Sequence, residues 1–290
     1  MKTPIFRGTC TALVTPFRDG GVDFPALDRL LETQLEAGIE ALLVCGTTGE
    51  AATLEPAETL ALLAHCVRFC GGGTKLIAGV GGNNTARAVR TAREAAALGV
   101  DALLAVTPYY NKCTQEGLLA HFGAIAAASG LPLLLYNVPP RTGVDLEPET
   151  CAKLAALPTV AGIKEANPDV GRLLRLRAAC GTDFPIYCGC DDRILPFLAC
   201  GAIGAVSVLS NLRPKTVKEL VDAGLRGEFA RALGLQQSCQ SLVEALFSEI
   251  SPIPVKAALT LSGLDAGICR LPLTPPTEAL IARLKEVLGS

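Results

Sequence analysis

Two hydrophobic patterns alternate along this chain. Short runs are apolar on consecutive positions: Thr9–Val14, Ala41–Cys45, Lys75–Val80, Ala102–Val106, Leu133–Tyr136, Val160–Lys164, Ile186–Cys188 and Ala205–Val208. Consecutive rather than alternating apolar positions suit parallel strands covered on both faces. The longer runs between them carry apolar residues at helical spacing. Asp23 is an N-cap with Pro25 just inside, Leu27, Leu30, Leu31 and Leu35 share a face, and Gly38 ends the run. Thr53 and Pro56 open a second helix with Leu60, Leu63 and Val67, and Asn84 caps a third that Gly99 stops. Further helices fit Glu116–Ser129, Pro148–Leu157, Asp169–Cys180, Asp192–Cys200 and Pro214–Ala223.

Eight strands, each followed by a helix in units of about 25–35 residues, predict an α/β fold: a (β/α)8 TIM barrel with additional C-terminal helices. The barrel is expected over residues 1–226. Residues 227–290 read as an appended helical region, punctuated by Gly224, Gly227 and Ser251-Pro252-Ile253-Pro254. The rival architecture, a doubly wound open sheet, usually carries a Gly-rich nucleotide loop after its first strand. Here that strand runs into Thr15-Pro16-Phe17-Arg18.

Composition removes several functional classes. Half of the 290 residues are apolar and 19% are charged, which excludes intrinsic disorder. The formal charge of -2 comes without a basic stripe, so no nucleic acid is expected as partner. No run approaches the ~20 apolar residues of a membrane span, and Met1–Cys10 has no long apolar run of a signal peptide. The expectation is a soluble, cytosolic protein. Twelve cysteines contain no C-x-x-C; the closest pairs are Cys66/Cys70 and Cys188/Cys190. The only histidines, His65 and His121, lie in helical stretches away from cysteine clusters. Core-filling thiols in a reducing compartment fit better than disulfides or structural zinc, and no metal is expected.

A barrel's chemistry sits at the C-terminal ends of its strands. Those ends hold Gly46-Thr47-Thr48-Gly49-Glu50, Thr107-Pro108-Tyr109-Tyr110-Asn111, Tyr136-Asn137 with Arg141-Thr142-Gly143, Lys164-Glu165 and Gly189-Cys190-Asp191-Asp192. Lys164 closes a buried apolar run, where desolvation favours the neutral amine, a nucleophile toward ketones. It also reads as a strand-end lysine that snorkels to solvent or pairs with Glu165. Tyr110 and Tyr136 are phenols able to shuttle protons, with Thr47 as a bridge, or else aromatic packing and a wet strand end. The Gly46–Gly49 turn offers N–H groups and two hydroxyls to a small carboxylate, though Gly/Thr clusters are ordinary loop material. Arg141 is either a bidentate carboxylate clamp or a surface arginine. Asp191-Asp192 lacks a third metal ligand, and Asp192 reads equally as a helix cap.

These motifs, in this order, resemble the dihydrodipicolinate synthase and N-acetylneuraminate lyase superfamily of class I, pyruvate-dependent aldolases. The resemblance rests on Gly46-Thr47-Thr48-Gly49-Glu50, Tyr109-Tyr110-Asn111, Tyr136-Asn137-Val138-Pro139-Pro140-Arg141-Thr142-Gly143 and Ile163-Lys164-Glu165-Ala166, and spans the chain from Gly8-Thr9 to the C-terminal helices. The paired threonines, the tyrosine pair and Arg141 resemble the synthase branch. The resemblance implies that Lys164 forms a Schiff base with pyruvate and that Thr48 holds its carboxylate. It also implies that Tyr136, Thr47 and Tyr110 relay protons, with Tyr110 reaching into a neighbouring subunit. Arg141 is then expected to hold the acid end of aspartate semialdehyde, and Val206 and Gly189 to line the pyruvate pocket. No cofactor beyond the covalent substrate is implied, and a homotetramer built as a dimer of dimers is expected. An aldolase or lyase acting on a sugar acid such as N-acetylneuraminate or a 2-keto-3-deoxy acid is the alternative within the superfamily. A non-catalytic keto-acid sensor would need a broken catalytic set, and none of its members is missing here.

Two positions depart from the family pattern. Cys190 stands where the family often has the glycine before the acid pair, so either the loop is shifted by one residue or a thiol faces the pocket. Pro56 and Arg87 replace a histidine and a glutamate of lysine-inhibited members, while Asn83 and Tyr109 remain. Weak or absent lysine inhibition is therefore expected, because an arginine repels the effector's amines.

Overall fold

The computed structural model describes residues 2–289. Eight parallel strands close a barrel: β1 (Gly8–Ala12), β2 (Ala41–Val44), β3 (Lys75–Gly79), β4 (Ala102–Val106), β5 (Leu133–Asn137), β6 (Val160–Glu165), β7 (Ile186–Cys188) and β8 (Gly204–Ser207). Each pairs with its sequence neighbour, and β1 pairs with both β2 and β8. Helices α1 (Phe24–Glu36), α2 (Pro56–Cys70), α3 (Thr85–Leu98), α4 (Gln115–Ser129), α5 (Pro148–Ala155), α6 (Gly171–Cys180), α7 (Ile194–Ala199) and α8 (Pro214–Leu225) follow the strands in turn. After them come α9 (Phe229–Leu246), α10 (Ile253–Leu261) and α11 (Glu278–Leu288). Among these, α9 packs against α7, α8 and α11.

The continuous apolar strands are buried on both faces, as their pattern requires. Cys10, Ala12, Leu43, Leu104, Leu134 and Tyr136 fill the barrel interior with Tyr187 and Val206. The alternate positions, such as Leu42, Leu103, Leu135 and Ile163, face the helices. Side chains alternate along a strand. In β6, Ile163 and Glu165 therefore share the outer face while Lys164 turns inward, opposite Tyr136 in the register with β5.

Several boundaries differ from the sequence reading. Phe17–Arg18 and Gly21–Val22 form a small antiparallel hairpin that the sequence pattern did not predict. Thr53 lies outside α2, which begins at Pro56. Glu55 caps it through a reciprocal capping box with Glu58. Asp192 does not cap a helix: Asp191–Arg193 is one 3-10 turn, and α7 starts at Ile194. Among the described residues no helix is long and apolar enough to cross a membrane.

Candidate active site

The C-terminal strand ends surround a cavity of about 560 Å³, lined by Gly46, Thr47, Tyr136 and Arg141 and closed on one side by Ser251 and Pro252 before α10. Lys164 is 5% exposed, and its Nζ lies 4.2 Å from the centroid of the Tyr136 ring. Of its two readings, pairing with Glu165 is overturned. Glu165 is fully buried on the opposite face and accepts from Arg172 Nε at 2.8 Å, Asn137 Nδ2 at 3.0 Å and the Asn167 N–H at 2.7 Å. Burial raises its carboxyl above the usual range despite the Arg172 charge. Snorkelling fares no better at so low an exposure.

Gly189 rests against the lysine. A Cβ built there would lie 3.1 Å from Lys164 Cε, 2.9 Å from Ala166 Cβ and 3.1 Å from the Glu165 carbonyl. Of the two alternatives at this loop, that contact favours the one-residue shift, with Gly189 as the glycine beside the lysine. Cys190 is half-buried and packs against the interior cluster of Tyr136 and Val206; like Lys164, Thr48, Gly189 and Val206 it lies outside the wider cavity's lining, and burial pushes its thiol up to about 11. Asp191 is buried too. It accepts from Ser207 Oγ and from the N–H groups of Val208 (2.9 Å) and Leu209 (3.1 Å). Desolvation raises its carboxyl, partly opposed by these hydrogen bonds, that from Ser207 first. Val206 belongs to the same interior cluster as Tyr136.

The Gly46–Glu50 turn is closed by Gly49 N–H to Gly46 O (3.1 Å) and Glu50 N–H to Thr47 O (3.1 Å), and Thr15 Oγ1 donates to Gly49 O at 2.7 Å. Thr47 is exposed to the cavity, whereas Thr48 is buried. Non-glycine residues with left-handed φ include Cys45 (55°), Glu50 (56°) and Tyr110 (68°), which flank or belong to the candidate site. Such strain persists only where the surroundings enforce it. Arg141 sits on a short helical turn, Pro139–Thr142, and donates to Ser251 O at 3.3 Å. Tyr109 lines the cavity, but Tyr110 is 91% exposed and does not enter this chain's own site. Farther along the same cavity lie Asn83 and Arg87; Pro56 is not part of the lining.

Sequence reasoning missed the residues that hold these turns. Arg172 was read only as part of a helix, and Lys256 and Arg270 lie in the C-terminal region with no local signal of their role. Among the described residues, no group of three or more His, Cys, Asp or Glu side chains is arranged to hold a metal ion.

The model of the dihydrodipicolinate synthetase family matches residues 5–289. A 4-hydroxy-tetrahydrodipicolinate synthase from Acetivibrio thermocellus is 44% identical over 99% of this chain and 98% of its own length. The crystal structure of dihydrodipicolinate synthase from Aquifex aeolicus superposes with a TM-score of 0.96 at 40% identity, covering 98% of this chain and 97% of that one. DHDPS from Cyanidioschyzon merolae with lysine bound gives 0.95 at 38% identity, over 99% and 98% of the two chains.

Proposed function

The chain belongs to the dihydrodipicolinate synthetase family, and from that membership we propose how its residues carry out the reaction. The activity is that of a 4-hydroxy-tetrahydrodipicolinate synthase, a lyase of lysine and diaminopimelate biosynthesis. Its substrates are pyruvate and L-aspartate 4-semialdehyde. Lys164 Nζ attacks pyruvate C2, water leaves, and the resulting iminium acts as the electron sink. Loss of a methyl proton gives an enamine that attacks the aldehyde carbon. The amine of the aldehyde substrate then closes on C2 and displaces Lys164. Thr48 and the N–H groups of its turn hold pyruvate's carboxylate, with Val206 and Gly189 bounding the methyl and lysine side. Tyr136 and Thr47 move protons, and Arg141 takes the acid end of the aldehyde substrate. The chemistry needs no metal or further cofactor.

The observation that carries this reading is the placement of Lys164. It is inward, nearly buried, beside the Tyr136 phenol, with the neighbouring acid Glu165 committed to Arg172. The strained, exposed Tyr110 supports its insertion into the site of a second copy, within a homotetramer. Twelve cysteines used largely as core filler fit a cytosolic location. Relatives named for the synthase, at 44–46% identity, favour this activity over a sugar-acid aldolase.

Borohydride trapping with pyruvate, followed by intact mass and peptide mapping, tests the assignment. A reduced pyruvyl adduct on Lys164, and turnover when aspartate semialdehyde is added, are expected. A folded protein that forms no adduct at saturating pyruvate refutes it.

A further inference from the structure

The turn that carries Thr47 and Thr48 is held from far along the chain. Glu50 closes the turn, and its side chain is 2% exposed. One carboxylate oxygen accepts from Lys256 Nζ at 2.8 Å, and the other accepts from the Arg270 backbone N–H at 2.9 Å. Lys256, on α10, has a side chain 1% exposed and also donates to Ile268 O at 3.0 Å. Phe17 is shared by both cations: Lys256 Nζ lies 4.3 Å and Arg270 Cζ 4.1 Å from its ring centroid. The Arg270 guanidinium makes two contacts of 2.6 Å with Glu58 on α2 and one of 3.0 Å with Thr53 O. The last residue of the turn is thus bonded to a segment 206 residues away.

A buried ion pair is weak evidence for stability, since an apolar pair of equal volume often serves as well. Its directional bonds do fix geometry. We infer that Lys256 is a positioning residue: through Glu50 it sets the Gly46–Glu50 turn so that Thr48 meets pyruvate's carboxylate. This rests on the role given to Thr48 above. Arg141 stands on a separate turn, and its bond to this region goes to the Ser251 backbone carbonyl ahead of α10, a group that replacing the Lys256 side chain leaves in place.

The test is Lys256→Met, with pyruvate varied in steady-state kinetics and in borohydride trapping. Half-saturation by pyruvate is expected to rise about tenfold or more in both assays, while the aldehyde KM moves less than about threefold. The saturated adduct stays on Lys164. Glu50→Gln keeps the volume and one acceptor, and it gives the same shift should Lys256→Met fail to fold. In a Thr48→Val background, Lys256→Met adds little further change, because the two act through one contact. A folded Lys256→Met or Glu50→Gln protein with unchanged pyruvate dependence overturns the inference, as does full additivity with Thr48→Val. Absence of any adduct in the unaltered protein overturns the Schiff-base reading and this inference with it.

Discussion

Gly189→Ala is the most direct probe of how the nucleophile is placed. The residue's φ is not in the left-handed region, so the substitution acts through space alone. The new methyl meets three neighbours: Ala166 Cβ at 2.9 Å, the Glu165 carbonyl at 3.1 Å and Lys164 Cε at 3.1 Å. Carbon pairs at rest sit about 3.5–4.0 Å apart. The first two neighbours are tied to β6 and its exit, where the Gly189 N–H bonds Glu165 O at 2.8 Å. The lysine side chain is the part able to yield, by about 0.5 Å. A misplacement of about 1 Å costs on the order of 100-fold in rate. Half of that predicts a loss of about 10-fold, and up to about 100-fold if the methyl also crowds pyruvate. Overpacking of this size costs about 1–3 kcal/mol of stability. A coupled steady-state assay reads kcat/KM, and borohydride trapping reads Schiff-base formation separately. Cys190→Ala is the control: it removes a half-buried thiol and adds no atom beside Lys164, so kcat/KM is expected to stay within about threefold. A folded Gly189→Ala enzyme with full kcat/KM and unaltered trapping refutes the argument that Gly189 exists to make room for Lys164.

Other expectations follow from the charges around the site. Arg172→Met leaves Glu165 buried without its cation and should destabilise the fold by about 3–5 kcal/mol in urea titration. The Glu165 carboxyl is already raised by burial, so this loss is present at alkaline pH and shrinks as pH falls and the group protonates; an equal loss at pH 5 and pH 8 contradicts it. His121 is buried, its Nε2 has no partner among the described residues, and desolvation lowers its pKa. Its contribution is therefore complete above the unfolded value of about 6.5 and is lost as pH drops below it. His121→Gln should flatten the fall in melting temperature between pH 7.5 and 5; an unchanged slope removes His121 as the cause. Arg87 in the cavity wall predicts weak or absent lysine inhibition by like-charge repulsion, and half-maximal inhibition at submillimolar lysine would show that reasoning to be wrong.

The barrel was legible because eight buried strands write themselves as consecutive apolar runs. The Phe17–Val22 hairpin was not, since two-residue strands carry no period. The second helix was placed too early because Thr53 is the more familiar cap. In the structure Glu55 takes that role, with Pro56 at the first position and Glu58 returning the bond. At the site, the inward direction of Lys164 follows from strand alternation. The left-handed backbone of Tyr110 does not follow from any local pattern. Nor does the pair of Glu50 with Lys256, which tertiary folding alone brings together.

The three turns around the proposed nucleophile share one construction. Each has a buried carboxylate close in sequence to a residue proposed to face substrate: Glu50 after Thr48, Glu165 after Lys164, and Asp191 after Gly189. Each acid is satisfied by fixed partners of its own, by Lys256 and the Arg270 N–H, by Arg172 and Asn137, and by Ser207 with two backbone N–H groups. An unpaired buried carboxylate costs several kcal/mol, so each acid holds its turn wherever its partners stand. The partners stand on α10 and the segment after it, on α6, and at the end of β8. Because Glu165 is held by Arg172 rather than by Lys164, the lysine is left free to bond substrate in the proposed reaction. The arrangement implies that substitutions in the fastening layer should shift pyruvate affinity and stability together, whereas substitutions of Lys164 or Tyr136 should abolish turnover in a protein that remains stably folded.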